Sequence, residues 1–293
     1  MKSSSTSLPI RKLDSVTFDM LLERQNPLQS VNCTFDLSEV QFISSSALVQ
    51  LAAACHSLGC DGRQPIIVVY DKAVRTYLIR SGFVQVMQTD VCFQPRMSRI
   101  LMLTYDYVRG SNPLLIELTK LQTGAELPDL LDHIVYVLRH RLKYKKNDAF
   151  DVAIAISEIC QNTFDHNAHT CGFLAMQVYQ SGSKRFLEIG VADCGDGLAA
   201  TLGRNPDNPP ITSDKEAIYQ ATQLGTSEFR DRTRGTGLYR LLEIAYKHRG
   251  SVQIRSGAAT VRFRMDKQRG WHFPVASMPG VQVAFTLPTK IGA

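Results

Sequence analysis

Apolar residues recur in two separate blocks along this chain, and their spacing predicts two α/β units. In the first block Val31–Leu37 reads as a strand and Ser46–Leu58 as an Ala-rich helix. Pro65–Tyr70 follows as a buried strand through Ile66, Ile67, Val68 and Val69, and Lys72–Ser81 as a second helix closed by Gly82. This β-α-β-α order predicts a small α/β domain over residues 13–95, behind a Ser-rich flexible tail at residues 1–12. Residues 96–111 give mixed signals and read as a connector holding one strand, Ile100–Tyr107.

The second block, residues 112–290, opens with a strand at Leu114–Leu118 and a helix at Pro128–Leu142, with the proline at a favourable first helical position. A longer helix, Asp148–Asp165, precedes two strands, Phe173–Tyr179 and Phe186–Val191, separated by turn residues. A polar, Pro-rich stretch from Gly203 to Arg234 contains a short helix at Asp214–Leu224. The chain then predicts a helix at Gly237–Lys247 and closing strands at Ser251–Arg255, Thr260–Met265 and Val281–Leu287. Helices interleaved with adjacent strands predict a two-layer α/β sandwich.

Composition changes this picture little. At 293 residues and 44% apolar content the chain can bury two cores. Its net charge of +6 includes a cluster at Arg139, Arg141, Lys143, Lys145 and Lys146, which reads as a solvated helix end. No nucleic-acid motif accompanies it, so a nucleic-acid partner is not expected. Seven cysteines form no C-x-x-C pair and predict reduced thiols in a cytoplasmic, soluble protein. A membrane span needs roughly 18 consecutive apolar residues, and no run approaches that.

Three features carry candidate chemistry. The helix Asp148–Asp165 is apolar nearly all round, so burial is expected, yet it carries Glu158 and Asn162 at helical spacing with Asp165 and His166 beyond. An unpaired buried carboxylate costs several kcal/mol, so Glu158 should face a ligand, a salt partner or water. The strand Phe186–Val191 runs into Asp193-Cys194-Gly195-Asp196-Gly197, a D-x-G-x-G turn whose glycines allow close approach of a ligand. Gly235-Thr236-Gly237-Leu238 opens a helix, where free amides suit phosphates. Each feature alone also reads as ordinary structure: a wet polar stripe, a strand-end turn, a helix start.

In order, the E-x-x-x-N helix, D-x-G-x-G turn, polar lid, G-x-G-L helix start and final Phe285-Thr286-Leu287-Pro288 strand resemble the GHKL (gyrase, heat-shock chaperone, histidine kinase, MutL) ATPases. The resemblance spans residues 112–290 and implies the Bergerat ATP-binding fold with ATP and Mg²⁺ as cofactors. It implies that Asn162 holds Mg²⁺ and that Glu158 is catalytic, orienting or deprotonating the nucleophile. Asp193 would accept from the adenine amino group with Thr286 in support through water, and Gly195 and Gly197 would admit the base. Gly235 and Gly237 would cradle the phosphates and Arg234 would contact them. The run Ala155–Asn162 with Asp165-His166 is most similar to the anti-sigma-factor serine kinases.

In the first unit, Phe35-Asp36-Leu37-Ser38 and Val40–Leu48 resemble the strand-turn-helix of STAS domains, the fold of anti-sigma-factor antagonists. Two departures stand out: Ser44 replaces the signature aspartate and Ala47 its glycine, so Ser45 and Ser46 read as helix-capping or docking residues ahead of phosphate acceptors. The joint resemblance implies an ATP-binding signalling regulator acting by ATP-dependent protein interaction, with Ser/Thr phosphoryl transfer of the anti-sigma-factor kinase type. Alternatives are a nucleotide-gated interaction module without useful catalysis and a slow ATPase clamp. Expected partners are a regulatory protein of the STAS or sigma-factor kind and a second copy of the chain; a membrane is not expected.

Overall fold

The computed structural model describes residues 9–100, 102–103, 112, 115–165, 171–182, 184–223, 226, 236–264 and 270–289. The N-terminal unit comprises β1 (Lys12–Leu13), α1 (Ser15–Gln25), β2 (Thr34–Asp36), β3 (Phe42–Ile43) and α2 (Ser45–Cys60). It continues with β4 (Ile66–Val68), α3 (Lys72–Arg80), α4 (Phe83–Met87) and β5 (Cys92–Gln94). Strands β2, β4 and β5 form a parallel sheet in the order β2-β4-β5, and β1 pairs separately with β3. Helix α3 ends where expected, with Gly82 in the left-handed region at φ 74°. The strand expected at Val31 starts later, since Val31 is fully solvated and Cys33 has a positive φ.

Helix α1 was not anticipated, because its apolar positions Phe18, Leu21 and Leu22 span barely more than one turn between polar residues. A capping box starts it: the Asp14 carboxylate accepts from the Val16 and Thr17 amides, and Thr17 Oγ1 accepts from the Asp14 amide. In the connector, residues 99, 100, 102 and 103 are helical, and the Met102 amide donates to Ser98 O. The strand expected at Ile100–Tyr107 is therefore corrected at its start, while its remainder lies outside the described residues.

The C-terminal unit is a five-stranded antiparallel sheet in the order β6-β7-β8-β10-β9. Its strands are β6 (Leu115–Leu121), β7 (Gly172–Ser181), β8 (Lys184–Asp193), β9 (Ser251–Arg264) and β10 (Trp271–Pro288). Its helices are α5 (Leu127–Tyr136, continued by a π turn over Val137–Arg141), α6 (Lys146–Asp165), α7 (Leu198–Gly203), α8 (Asp214–Ala221) and α9 (Gly237–His248). Two strands expected before and after Gly257 are one strand, and β10 begins ten residues earlier than expected. Pro274, Pro279 and Gly280 suggest a break in the sequence. Residues 271–278 of β10 pair only with β9, and bulges there absorb residues that a central strand would reject.

Both faces of this sheet are covered. Leu174, Met176, Leu187, Ile189, Val191, Val283, Phe285 and Leu287 pack under α5, α6 and α9. The alternate positions Phe173, Ala175 and Ala192 join the core of the N-terminal unit, with α2 lying across them. Helix α2 is therefore buried on nearly every side, as its alanine-rich composition permits. Gly190 marks the closest approach: a Cβ there would stand 2.8 Å from Ser46 Cα and 2.9 Å from Ser45 O. At the far edge, the fully buried Arg255 of β9 donates from Nε to Asp19 Oδ1 of α1 at 2.7 Å. Burial raises the Asp19 pKa, and the Arg255 charge and hydrogen bond oppose that shift.

Gly190→Val should destabilise the protein by about 1–3 kcal/mol or more, because neither backbone can yield without separating the units. Gly59→Ala, at a helical position with open space around it, should stabilise by about 0.5–1 kcal/mol. Urea unfolding midpoints of the two variants distinguish a close-approach glycine from a merely helical one.

Candidate functional site

Asn162 and the D-x-G-x-G turn meet across a narrow cavity on the helical side of the sheet. Val191, Val281 and Val283 floor it, Ile159, Asn162 and Thr163 of α6 form one wall, and Asp193, Gly195, Gly197 and Leu238 complete it. The apolar floor follows from strand alternation, which sends odd-numbered residues of β8 and β10 toward the helices. Asn162 itself is exposed, one turn beyond the buried Ile159.

Two backbone approaches hold the turn. The Asp193 carboxylate accepts from the Gly195 amide at 2.8 Å, and a Cβ on Gly280 would lie 2.0 Å from Asp193 O. Gly197 has φ 81° and faces Ser256, whose Oγ accepts from the Leu198 amide at 2.9 Å. Of the two turn glycines, Gly197 alone uses the left-handed region; the Gly195 position is shaped by the nearby Asp193 carboxylate.

Glu158 points to the start of α9. Thr236 Oγ1 donates to its carboxylate at 2.7 Å from Oε1, and Arg240 Nε lies 3.7 Å from the same oxygen. Gly237 packs against it so tightly that a Cβ would stand 2.9 Å from Glu158 Cβ. Glu158 borders a groove between α5 and α6, beside Phe150 and Ile154, and does not line the Asn162–Asp193 cavity. Phe150 and Ile154 are each 43% exposed, which corrects the expectation that α6 is buried all round. Its stripe opposite the sheet meets solvent.

Thr286 is not brought to this cavity. On β10 the side chains of Val283, Phe285 and Leu287 face the helices, so Thr286 faces the N-terminal unit, where it lines a cleft with Tyr179 and Glu188. Period-two alternation in the sequence already contained this answer. Arg234 and Gly235, with lid residues 224, 225 and 227–233, lie outside the described residues. Sequence reasoning missed Thr236 and Arg240 as partners of Glu158, and Ser256 and Gly280 as supports of the turn, because these contacts join residues far apart in the chain.

The serine turn is an intramolecular joint. Ser44 caps α2, its Oγ accepting from the Ala47 amide at 3.4 Å. The Ser45 amide donates to Tyr179 Oη at 2.7 Å, the Ser46 amide to Glu188 Oε1 at 2.9 Å, and Ser45 Oγ to Glu188 O at 3.0 Å. All three serines are buried. A carboxylate of the C-terminal sheet thus occupies the anion-binding N-terminus of the helix. Burial pushes the Tyr179 phenol well above its ordinary pKa, keeping it a neutral acceptor for the Ser45 amide.

Residues 12–94 match the STAS domain family, so the chain carries an N-terminal STAS domain. Comparison with curated proteins finds no match. Among the described residues no helix is long and apolar enough to cross a membrane.

With hydroxyls sealed against the sheet, the folded protein incubated with Mg·ATP should carry no phosphate on Ser45 or Ser46 by mass spectrometry. Ser46→Asp should lower stability by about 3 kcal/mol in urea unfolding, since a second buried carboxylate meets Glu188. The helix dipole would return only about 0.3–1 kcal/mol of that.

Proposed function

We propose that residues 112–290 form a GHKL-type ATP-binding module whose nucleotide state controls binding of a regulatory protein partner, with Ser/Thr phosphoryl transfer as its chemical output. The observation that carries this reading is the convergence of Asn162 and the Asp193–Gly197 turn on one cavity floored by three valines. An apolar slot ending in a carboxylate acceptor suits a flat heterocycle that presents an amino group. Gly195 and Gly197 line the cavity without side chains, and Gly280 lets the backbone of the turn pack closely beneath Asp193.

On this reading Asp193 accepts from the adenine amino group, and the amide oxygen of Asn162 is a hard ligand suited to Mg²⁺. Mg²⁺ would supply charge neutralisation at the phosphates. Gly237, and Gly235 with Arg234 before it, would meet the phosphates at the start of α9. Glu158 stands one helical turn from Asn162 and would accept the proton of the incoming hydroxyl once released from Thr236. The same hydrogen bond favours a second reading, a nucleotide-gated interaction module, because it occupies the carboxylate that catalysis would use.

Asp193→Asn should weaken Mg·ATP binding at least about tenfold, as a charge-assisted hydrogen bond of about 1.5–3 kcal/mol is lost. Thermal shift against ATP concentration reads this directly; equal stabilisation of variant and parent would remove the adenine assignment.

Glu158→Ala should cut transfer or hydrolysis of the γ-labelled phosphate by about 10² or more while ATP affinity stays within a few-fold. A parent protein that binds ATP without turnover would instead establish the nucleotide-gated module.

A further inference from the structure

Where β7 and β8 end, two cysteines face each other. The ladder pairs Gly172 with Asp193, so the next step places Cys171 opposite Cys194, and alternation turns both thiols toward α2. Cys171 is buried, and Cys194 is partly buried with its Sγ 3.6 Å from Ala53 O of α2. Directly opposed Cβ atoms in such a ladder stand about 4.5–5.5 Å apart, within about an ångström of disulfide geometry.

One turn along α2, His56 completes the cluster. Its Nδ1 lies 3.0 Å from Asp90 Oδ2, its Nε2 lies 3.6 Å from the exposed Cys60 thiol, and its ring meets Phe173 edge to face. Lys120 of β6 and Asp193 complete the charged groups acting on the two thiols. Hydrogen bonding from Cys194, followed by that from His56, pulls the Cys171 thiol down to about 5 against its burial. The Cys194 thiol is driven the other way, chiefly by Cys171, and the Cys171 and Asp90 hydrogen bonds raise the His56 pKa. The cluster therefore favours the thiolate at Cys171 with the Cys194 thiol opposite it, and favours proton retention by a His56 imidazole that Asp90 orients.

We propose that Cys171 is a peroxide-reactive thiol and that Cys194 resolves its oxidised form into a cross-strand disulfide. The Cys171 thiolate attacks hydrogen peroxide, an S–O bond forming as the O–O bond breaks, and His56 supplies the proton that lets the displaced hydroxide leave as water. Cys194 sulfur then attacks the sulfenic sulfur, the S–O bond breaks, and the Cys194 proton leaves with the hydroxide as a second water. Two thiols and one peroxide give one disulfide and two waters. The bond ties β7 to the Asp193–Gly197 turn, and its formation does not depend on what that turn binds.

The test treats the full-length protein with equimolar hydrogen peroxide, blocks free thiols by alkylation, and maps disulfides by mass spectrometry without reduction. The Cys171–Cys194 linkage should appear before the exposed Cys60 and Cys92 are modified. Cys194→Ser should leave Cys171 as a sulfenic acid captured by dimedone. His56→Gln should slow loss of the Cys171 thiol at least about tenfold at pH 7, as its thiolate fraction falls. Oxidation of Cys60 or Cys92 while Cys171 and Cys194 remain fully alkylatable in the parent protein would overturn the proposal, as would absence of a dimedone adduct in folded Cys194→Ser.

Discussion

The contact between the N-terminus of α2 and the face of β8 is the constraint on which the molecule's layout depends. Gly190 lets two backbones approach to a distance no side chain would allow, and Glu188, two residues away on the same face, supplies the charge that the helix terminus lacks partners for. These two effects need each other. Close approach without the carboxylate would bury unsatisfied amides, whose desolvation costs about 1–3 kcal/mol each. The carboxylate without the approach would lose the Ser46 amide that pairs with it.

From that joint the two faces of the central sheet acquire different roles. The STAS helices cover one face, adding the buried Asp19–Arg255 pair at its edge, so that edge is held by charge as well as by packing. Breaking such a pair from one side leaves an uncompensated charge, which makes it a specific latch more than a source of net stability. The other face keeps its own helices and, between α6 and the Asp193–Gly197 turn, the cavity. Because successive residues of β8 alternate between faces, Glu188 and Gly190 serve the joint while Ile189 and Val191 serve the helical side. One strand therefore contributes to both the joint and the cavity.

A serine turn that resembles a phosphorylation site acts here as a seat. The Ser45 and Ser46 amides and the Ser45 hydroxyl are consumed by Tyr179 and Glu188 of the same chain, and the Ser44 and Ser46 hydroxyls pair with each other. This face of the STAS domain is thus engaged within the chain.

Part of the element order was legible from sequence because it rests on local physics. Period-two alternation identified β7 and β8, helical spacing identified α2, α6 and α9, and Gly82 marked the end of α3. The D-x-G-x-G turn and Asn162 could be named as facing groups from motif order, and they do line one cavity. Alternation also held the correct side for Thr286, although the motif suggested otherwise. What only the tertiary structure decided are contacts between distant positions: Glu188 under Ser46, Gly280 against Asp193, Thr236 on Glu158, Cys171 opposite Cys194. In each case the residue's own neighbours in sequence are compatible with several environments, and the free energy that selects one comes from a group more than twenty positions away. Local sequence determines which elements form; the burial of one polar or glycine-bearing surface against another determines what those elements can do.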